Sequence, residues 1–210
     1  MALKSVFRSL SFISASLAFV LMLSVSTKAM SQTVLIPSPP QIAGSSYVLM
    51  DPKSGRIIME QNSNERLPPA SLTKMMTAYI VERELDEGRI NMSDMVPISV
   101  KAWKTEGSRT FVKEGTSVSV EDLLKGVIIQ SGNDASVALA EFVAGSEGAF
   151  VDIMNQQAQL LGMKDTNFQN ATGLPASDHF STAYDLAVLA SAIINDYPEN
   201  CCGAMTVLMA

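Results

Sequence analysis

Between Leu72 and Ile194 the apolar residues return every three or four positions in five separate runs, and polar caps or glycines mark where each run begins and stops. A chain punctuated in this way folds as a set of packed helices. The first predicted helix covers Leu72 to Leu85, with Met75, Met76, Tyr79 and Ile80 at helical spacing, opens within a residue or two of Ser71 and stops before Gly88. Ser119 is the predicted N-cap of a second, running from Val120 to about Ile129, with Glu121 and Asp122 suited to the positive end of its dipole. A third starts at Asn133 or Asp134 and reaches Gly145, and Ser146 caps a fourth from Glu147 to Leu161 that Gly162 closes. Thr182 caps the fifth, which has Asp185 three residues on and extends to about Ile194.

The helical body is entered through extended chain. Ser46 to Met50 and Arg56 to Glu60 flank Asp51-Pro52-Lys53-Ser54-Gly55, a reversal sequence, and are predicted to pair as a β-hairpin. Asn91 to Thr116 shows no sustained period, and Asn167 to Phe180 reads as loop. At the N-terminus, Lys4 and Arg8 precede an apolar run from Leu10 to Val25, and Thr27-Lys28-Ala29 offers small residues for cleavage, so residues 1–29 are expected to be a secretory signal. Residues 30–42, with three prolines, are expected to form an extended lead-in.

Composition narrows the function. Hydrophobic residues make up 47% of the chain and charged residues 17%, which excludes disorder. The formal charge of −6, with no block of basic residues, argues against nucleic acid. One histidine, His179, and two adjacent cysteines, Cys201 and Cys202, cannot assemble a conventional zinc site, so neither a metal nor a cofactor is expected.

Pro69-Ala70-Ser71-Leu72-Thr73-Lys74 places a hydroxyl and an amine one turn apart at a helix start. Serine attacks a carbonyl only when a base removes its proton, and lysine is such a base only when neutral. At its ordinary pKa roughly one lysine in a few thousand is neutral at pH 7. Burial and the positive end of the helix dipole both disfavour the ammonium and can bring it into range. The Ser71 backbone N–H is placed to supply half of an oxyanion hole. Gln130-Ser131-Gly132-Asn133-Asp134 interrupts two helices with a second polar cluster. There Ser131 can relay a proton between Lys74 and a leaving group, and Asn133 can hold a substrate amide or bond Lys74. Both also fit as ordinary helix caps.

In this combination the chain resembles the penicillin-recognising serine hydrolases, defined by Ser-x-x-Lys, then Ser-x-Asn, then Lys-Thr-Gly. Ser71-Leu72-Thr73-Lys74 and Ser131-Gly132-Asn133 match the first two in order. Ala43 to Asp51, Arg66-Leu67-Pro68-Pro69-Ala70, Asn170-Ala171-Thr172-Gly173-Leu174-Pro175 and His179 to Ala183 make it most similar to the low-molecular-mass penicillin-binding proteins, the D-alanyl-D-alanine carboxypeptidases. The resemblance implies an α+β, β-lactamase/transpeptidase-like fold, a helical layer against an antiparallel sheet, over residues 43–199. It implies Ser71 as the acylated nucleophile, Lys74 as proton acceptor, Ser131 as relay and Asn133 as substrate-binding residue. The implied partners are peptidoglycan pentapeptide side chains, which lose a terminal D-alanine, and β-lactam antibiotics, which acylate the same serine.

The third motif does not occur after Asn133. Lys53-Ser54-Gly55 has related letters but precedes the nucleophile and falls in the predicted hairpin turn. The reading is therefore of a catalytic domain lacking most of its C-terminal sheet strands, with residues 200–210 a divergent tail and activity in doubt. Without the amphipathic C-terminal segment of many such enzymes, membrane association of the mature chain is not expected. Two alternatives stay open: a non-catalytic remnant, and a β-lactamase, for which no convincing deacylating carboxylate follows Asn133. Glu141 is expected to be a solvated surface residue. A Ser-His-Asp hydrolase fits less well, since no Gly-x-Ser-x-Gly elbow is present and His179 lies in a loop with a structural or surface role.

Overall fold

Asp51 shapes the first element. Its Oδ1 accepts from the backbone N–H of Lys53 (3.1 Å) and Ser54 (2.7 Å) and from Ser54 Oγ (2.8 Å), an Asx-type turn that reverses the chain. In the computed structural model, which describes residues 42–198 together with Pro40, this turn joins strands β1 (Tyr47–Met50) and β2 (Ile57–Gln61) in an antiparallel hairpin. Lys53-Ser54-Gly55 is the turn itself. The chain divides into two units, residues 1–40 and 41–210, and the description that follows concerns the second. The expected signal at 1–29, nearly all of the lead-in at 30–42 and the tail at 200–210 lie outside the described residues.

A 3-10 helix at Ala70–Thr73 leads directly into α1 (Lys74–Asp86). Strand β3 (Met95–Pro97), helix α2 (Val100–Lys104) and strand β4 (Ser117–Ser119) follow, then α3 (Val120–Gln130), α4 (Asn133–Ala144), α5 (Glu147–Leu161) and α6 (Ala183–Asp196). The expected caps are in place. Ser119 Oγ accepts from Asp122 N (3.1 Å), Ser146 Oγ from Ala149 N (3.2 Å) and Thr182 Oγ1 from Asp185 N (3.0 Å), each satisfying a donor that the first helical turn leaves free.

The stretch from Asn91 to Thr116 is more regular than its sequence shows. β3 pairs antiparallel with β4, Val96 opposite Val118, and Ser99 caps α2 by accepting from Ala102 N (3.0 Å). Three-residue strands and a five-residue helix are too short to display a period, so the pattern that reveals the longer helices is silent here.

Helix α1 is the axis of the body. On one side Val81 packs into a cluster with Val96, Leu123, Val127 and Leu139, and on the other Met76, Tyr79 and Ile80 meet Phe150, Met154, Phe168 and Leu189. A helix covered on both sides carries its polar residues inward as well. The hairpin differs, leaving Leu49 at 50% and Ile58 at 55% exposure. Between β1, Pro68, Leu72 and the Leu186–Ile194 side of α6 lies an open, mainly apolar groove of about 500 Å³. The observed architecture is thus α+β, a helical layer with two small antiparallel sheets.

Candidate active site

Ser71 sits on the 3-10 turn, exposed, while Lys74 three residues on is only 5% exposed. In a 3-10 turn, with three residues per turn, side chains at i and i+3 eclipse, whereas in an α-helix they are offset. The turn therefore stacks the two groups. Lys74 Nζ donates to Ser71 Oγ (3.3 Å) and to the Thr172 carbonyl (2.6 Å). Burial brings the Lys74 pKa down from 10.5 to about 8, because removing water penalises the charged amine. About a tenth of the molecules then hold a neutral amine at pH 7, against roughly one in three thousand for a solvated lysine. Burial is one of the two causes anticipated from the sequence. The Ser71 backbone N–H donates to no carbonyl among the described residues, which leaves it free for an incoming oxygen.

A loop distant in sequence holds this pair. Asn170 Oδ1 accepts from Thr172 N (3.1 Å), Thr172 Oγ1 (2.9 Å) and Gly173 N (2.7 Å), and Thr77 Oγ1 donates to the Ala171 carbonyl (2.8 Å). Gly173, at φ +86°, lies so close to the 3-10 turn that a Cβ there would run into the Ala70 carbonyl. Ala70 itself takes φ +46°, a left-handed conformation uncommon for a residue with a side chain. Sequence reasoning assigned this loop no role. Its dense Asn-Ala-Thr-Gly turn chemistry was the available signal.

Ser131 and Asn133 stand at the break between α3 and α4. Ser131 closes α3 in the left-handed region (φ 54°), and its buried Oγ has no hydrogen-bond partner among the described residues. Asn133 is buried, its backbone N–H donating to Ser108 O (2.8 Å) and its Nδ2 to Glu106 O (2.6 Å). Hydrogen bonding brings Ser71 and Lys74 together but joins neither Ser131 nor Asn133 to them.

Three further residues are defined by their surroundings. Asp134, read from sequence only as a helix start, is fully buried, with Oδ1 accepting from Thr110 N (2.8 Å) and Oδ2 from Val112 N (3.2 Å). Arg109 Nε lies 3.9 Å from the same carboxylate. Asp134 thus anchors the segment whose Glu106 and Ser108 hold Asn133. Glu141 is half-buried rather than solvated, and accepts from Ser99 Oγ (2.6 Å). His179 is buried at 5% exposure, its Nε2 hydrogen-bonded to Thr73 Oγ1 at 2.9 Å.

The chain is similar to several proteins of known family. The family model described as D-alanyl-D-alanine carboxypeptidase, Peptidase S11, matches residues 33–206. The D-alanyl-D-alanine carboxypeptidase DacC of Escherichia coli K12 is 46% identical over 193 residues, covering 89% of this chain and 48% of that protein. The crystal structure of DacD from Francisella tularensis superposes with a TM-score of 0.78 at 43% identity, over 81% of this chain and 41% of that one. Penicillin-binding protein D2 of Listeria monocytogenes, solved in cefotaxime-bound and ampicillin-bound forms, gives 0.69 at 28% identity, over 78% of this chain and 66% of its own. The chain spans about half the length of the curated relatives it matches. With the buried lysine beside the turn serine and a family match over most of its length, the chain belongs to the D-alanyl-D-alanine carboxypeptidase family of serine peptidases.

Proposed function

We propose that this chain carries the acylation half-site of a serine-type D-alanyl-D-alanine carboxypeptidase, and that the protein removes the terminal D-alanine from peptidoglycan pentapeptides. The observation that carries the reading is the Lys74 amine, buried, its pKa at about 8, and 3.3 Å from Ser71 Oγ. In its neutral form it accepts the Ser71 proton as Oγ bonds to the carbonyl carbon of the penultimate D-alanine. The carbonyl oxygen becomes an oxyanion facing the free Ser71 N–H. The C–N bond then breaks, the proton passes through Ser131 to the amine of the departing D-alanine, and Asn133 positions the peptide through its Oδ1. Water cleaves the resulting ester and returns Ser71.

A β-lactam offers the same carbonyl in a strained ring and esterifies the same serine, in keeping with the antibiotic-bound forms of the Listeria relative. The substrate is extracytoplasmic, and Lys4, Arg8 and the apolar run from Leu10 to Val25 support export to the periplasm or the outer face of the inner membrane. Among the described residues no helix is long and apolar enough to cross a membrane.

A fluorescent penicillin tests the reading. The parent chain is expected to be labelled covalently and Ser71→Ala to remain unlabelled, while D-alanine release from a pentapeptide measures turnover. A folded parent that takes no label refutes the proposal for this chain.

A further inference from the structure

The segment from His179 to Ser181 is tied down residue by residue. Phe180 exchanges backbone hydrogen bonds with Asn167 (2.9 and 3.1 Å) and Ser181 with Leu67 (2.9 and 3.0 Å). His179, next to them, reaches inward to Thr73, the residue before Lys74 on the chain. Both partners are buried, Thr73 completely, and the Phe168 ring stands edge-on to the imidazole with centroids 5.9 Å apart. His179 Nδ1 has no partner among the described residues. An imidazolium would bury an unpaired N–H there, so the site accepts the neutral ring, and burial lowers the His179 pKa from 6.5.

The charged groups around the ring are engaged elsewhere or face solvent. Lys74 is bonded to Ser71 and Thr172, Arg66 pairs with Asp165, Asp185 accepts from Asp165 N and Thr166 Oγ1, and Asp178 is exposed. The ring's one hydrogen bond among the described residues is to the turn. Three residues about a 3-10 axis leave Thr73 the one side chain of the Ser71–Lys74 segment that is anchored to a separate rigid element by hydrogen bonding without itself entering the chemistry.

We propose that His179 is a positioning residue: through its hydrogen bond to Thr73 it keeps the 3-10 turn in the rotation that stacks Ser71 Oγ on Lys74 Nζ. The inference rests on the reading of Ser71 and Lys74 as nucleophile and base, and its test separates the two. Penicillin acylation of the full chain is measured as a function of penicillin concentration, so that binding and the acylation rate constant are resolved. Thr73→Val, which keeps the shape and removes the hydroxyl, and His179→Leu are each expected to lower the rate constant by on the order of tenfold to a hundredfold, the cost of a sub-ångström to ångström misplacement, with binding unchanged. Thr73→Ser is expected to restore most of the rate.

Parental rates in Thr73→Val and His179→Leu overturn the proposal, as does a Thr73→Ser protein as slow as Thr73→Val, because the methyl group would then be what matters. The titration of Lys74 followed by 13C NMR reports the same geometry without an acyl donor. Its midpoint is expected near 8 in the parent and in Thr73→Ser, and displaced toward 10.5 in the other two variants. An undisplaced midpoint overturns the positioning role even if the parent proves unable to react with penicillin.

Discussion

The two halves of the candidate site are finished to different degrees. Around Lys74 the polar groups find partners within the protein, His179 Nδ1 excepted: the amine on Ser71 and Thr172, Thr77 on Ala171, Thr73 on His179, and Asn170 on three donors of its own loop. At the α3–α4 break, Ser131 holds a left-handed backbone and a buried hydroxyl with no partner among the described residues. Unsatisfied buried groups and strained backbone are rare because each costs free energy, and they persist where something other than folding uses them. The first half is therefore organised before any ligand arrives. In the second, one hydroxyl is free for the relay proposed above.

The most severe way to break the first half is Lys74→Met. Acylation by penicillin is expected to fall by a factor of a thousand or more, since general-base catalysis alone contributes about 10²–10⁴ and the hydrogen bond to Ser71 goes with it. Stability should move the other way. The folded Lys74 pKa of about 8 lies below the unfolded 10.5, so between these values the unfolded chain binds more protons and the parent gains stability as pH rises. Below pH 8 the whole penalty is present. Urea denaturation at pH 7, 8.5 and 10 should show a rising trend in the parent and none from this residue in Lys74→Met, with the variant the more stable at pH 7.

Gly173→Ala attacks the same half from outside. A Cβ there meets the Ala70 carbonyl and must also adopt φ +86°, so a loss of about 3 kcal/mol is expected. Because Thr172 moves with it, the acylation rate should fall too. Chemical denaturation and labelling on one preparation check both, and an unperturbed labelling rate would mean that the loop merely covers the turn.

How much of this the sequence disclosed follows from the range of each interaction. The caps at Ser119, Ser146 and Thr182 bond to backbone three residues away, and the Asp51 turn is closed within five residues, so local text specifies them. Ser71 and Lys74 were legible for the same reason. The 3-10 character of their turn was not, since it depends on Gly173 pressing on Ala70 about a hundred residues away and on the anchor at His179. The burial of α1 on both sides was equally hidden, because Lys74, Glu82 and Glu84 interrupt its apolar pattern while lying inside. Asp134 opens the apolar run Ala135–Ala140, a hint of burial. Its grip on Thr110 and Val112 is a tertiary fact that no spacing encodes.

Asp134→Asn tests the support beneath the second half. An asparagine oxygen can replace only part of the carboxylate's acceptance from Thr110 and Val112, and its amide adds a donor with nowhere to bond. A loss of about 2 kcal/mol is expected. Limited proteolysis should find residues 105–112 opened first, and penicillin binding should weaken through Asn133, which that segment holds by Glu106 and Ser108. Cleavage distributed evenly over the chain would contradict a local anchoring role.

The smallest change in stability carries the sharpest contrast. Ser131→Gly removes a buried hydroxyl that bonds to nothing among the described residues and supplies the residue type best suited to φ 54°. Both effects favour folding, by about 1 kcal/mol together. If the hydroxyl relays the proton to the leaving group, the more stable protein should be the poorer catalyst, with acylation lowered by about a hundredfold. Differential scanning calorimetry and labelling kinetics on the same sample decide the matter. A variant that gains stability and keeps its acylation rate would show that Ser131 is a helix terminus only, its unpaired hydroxyl unused by the reaction.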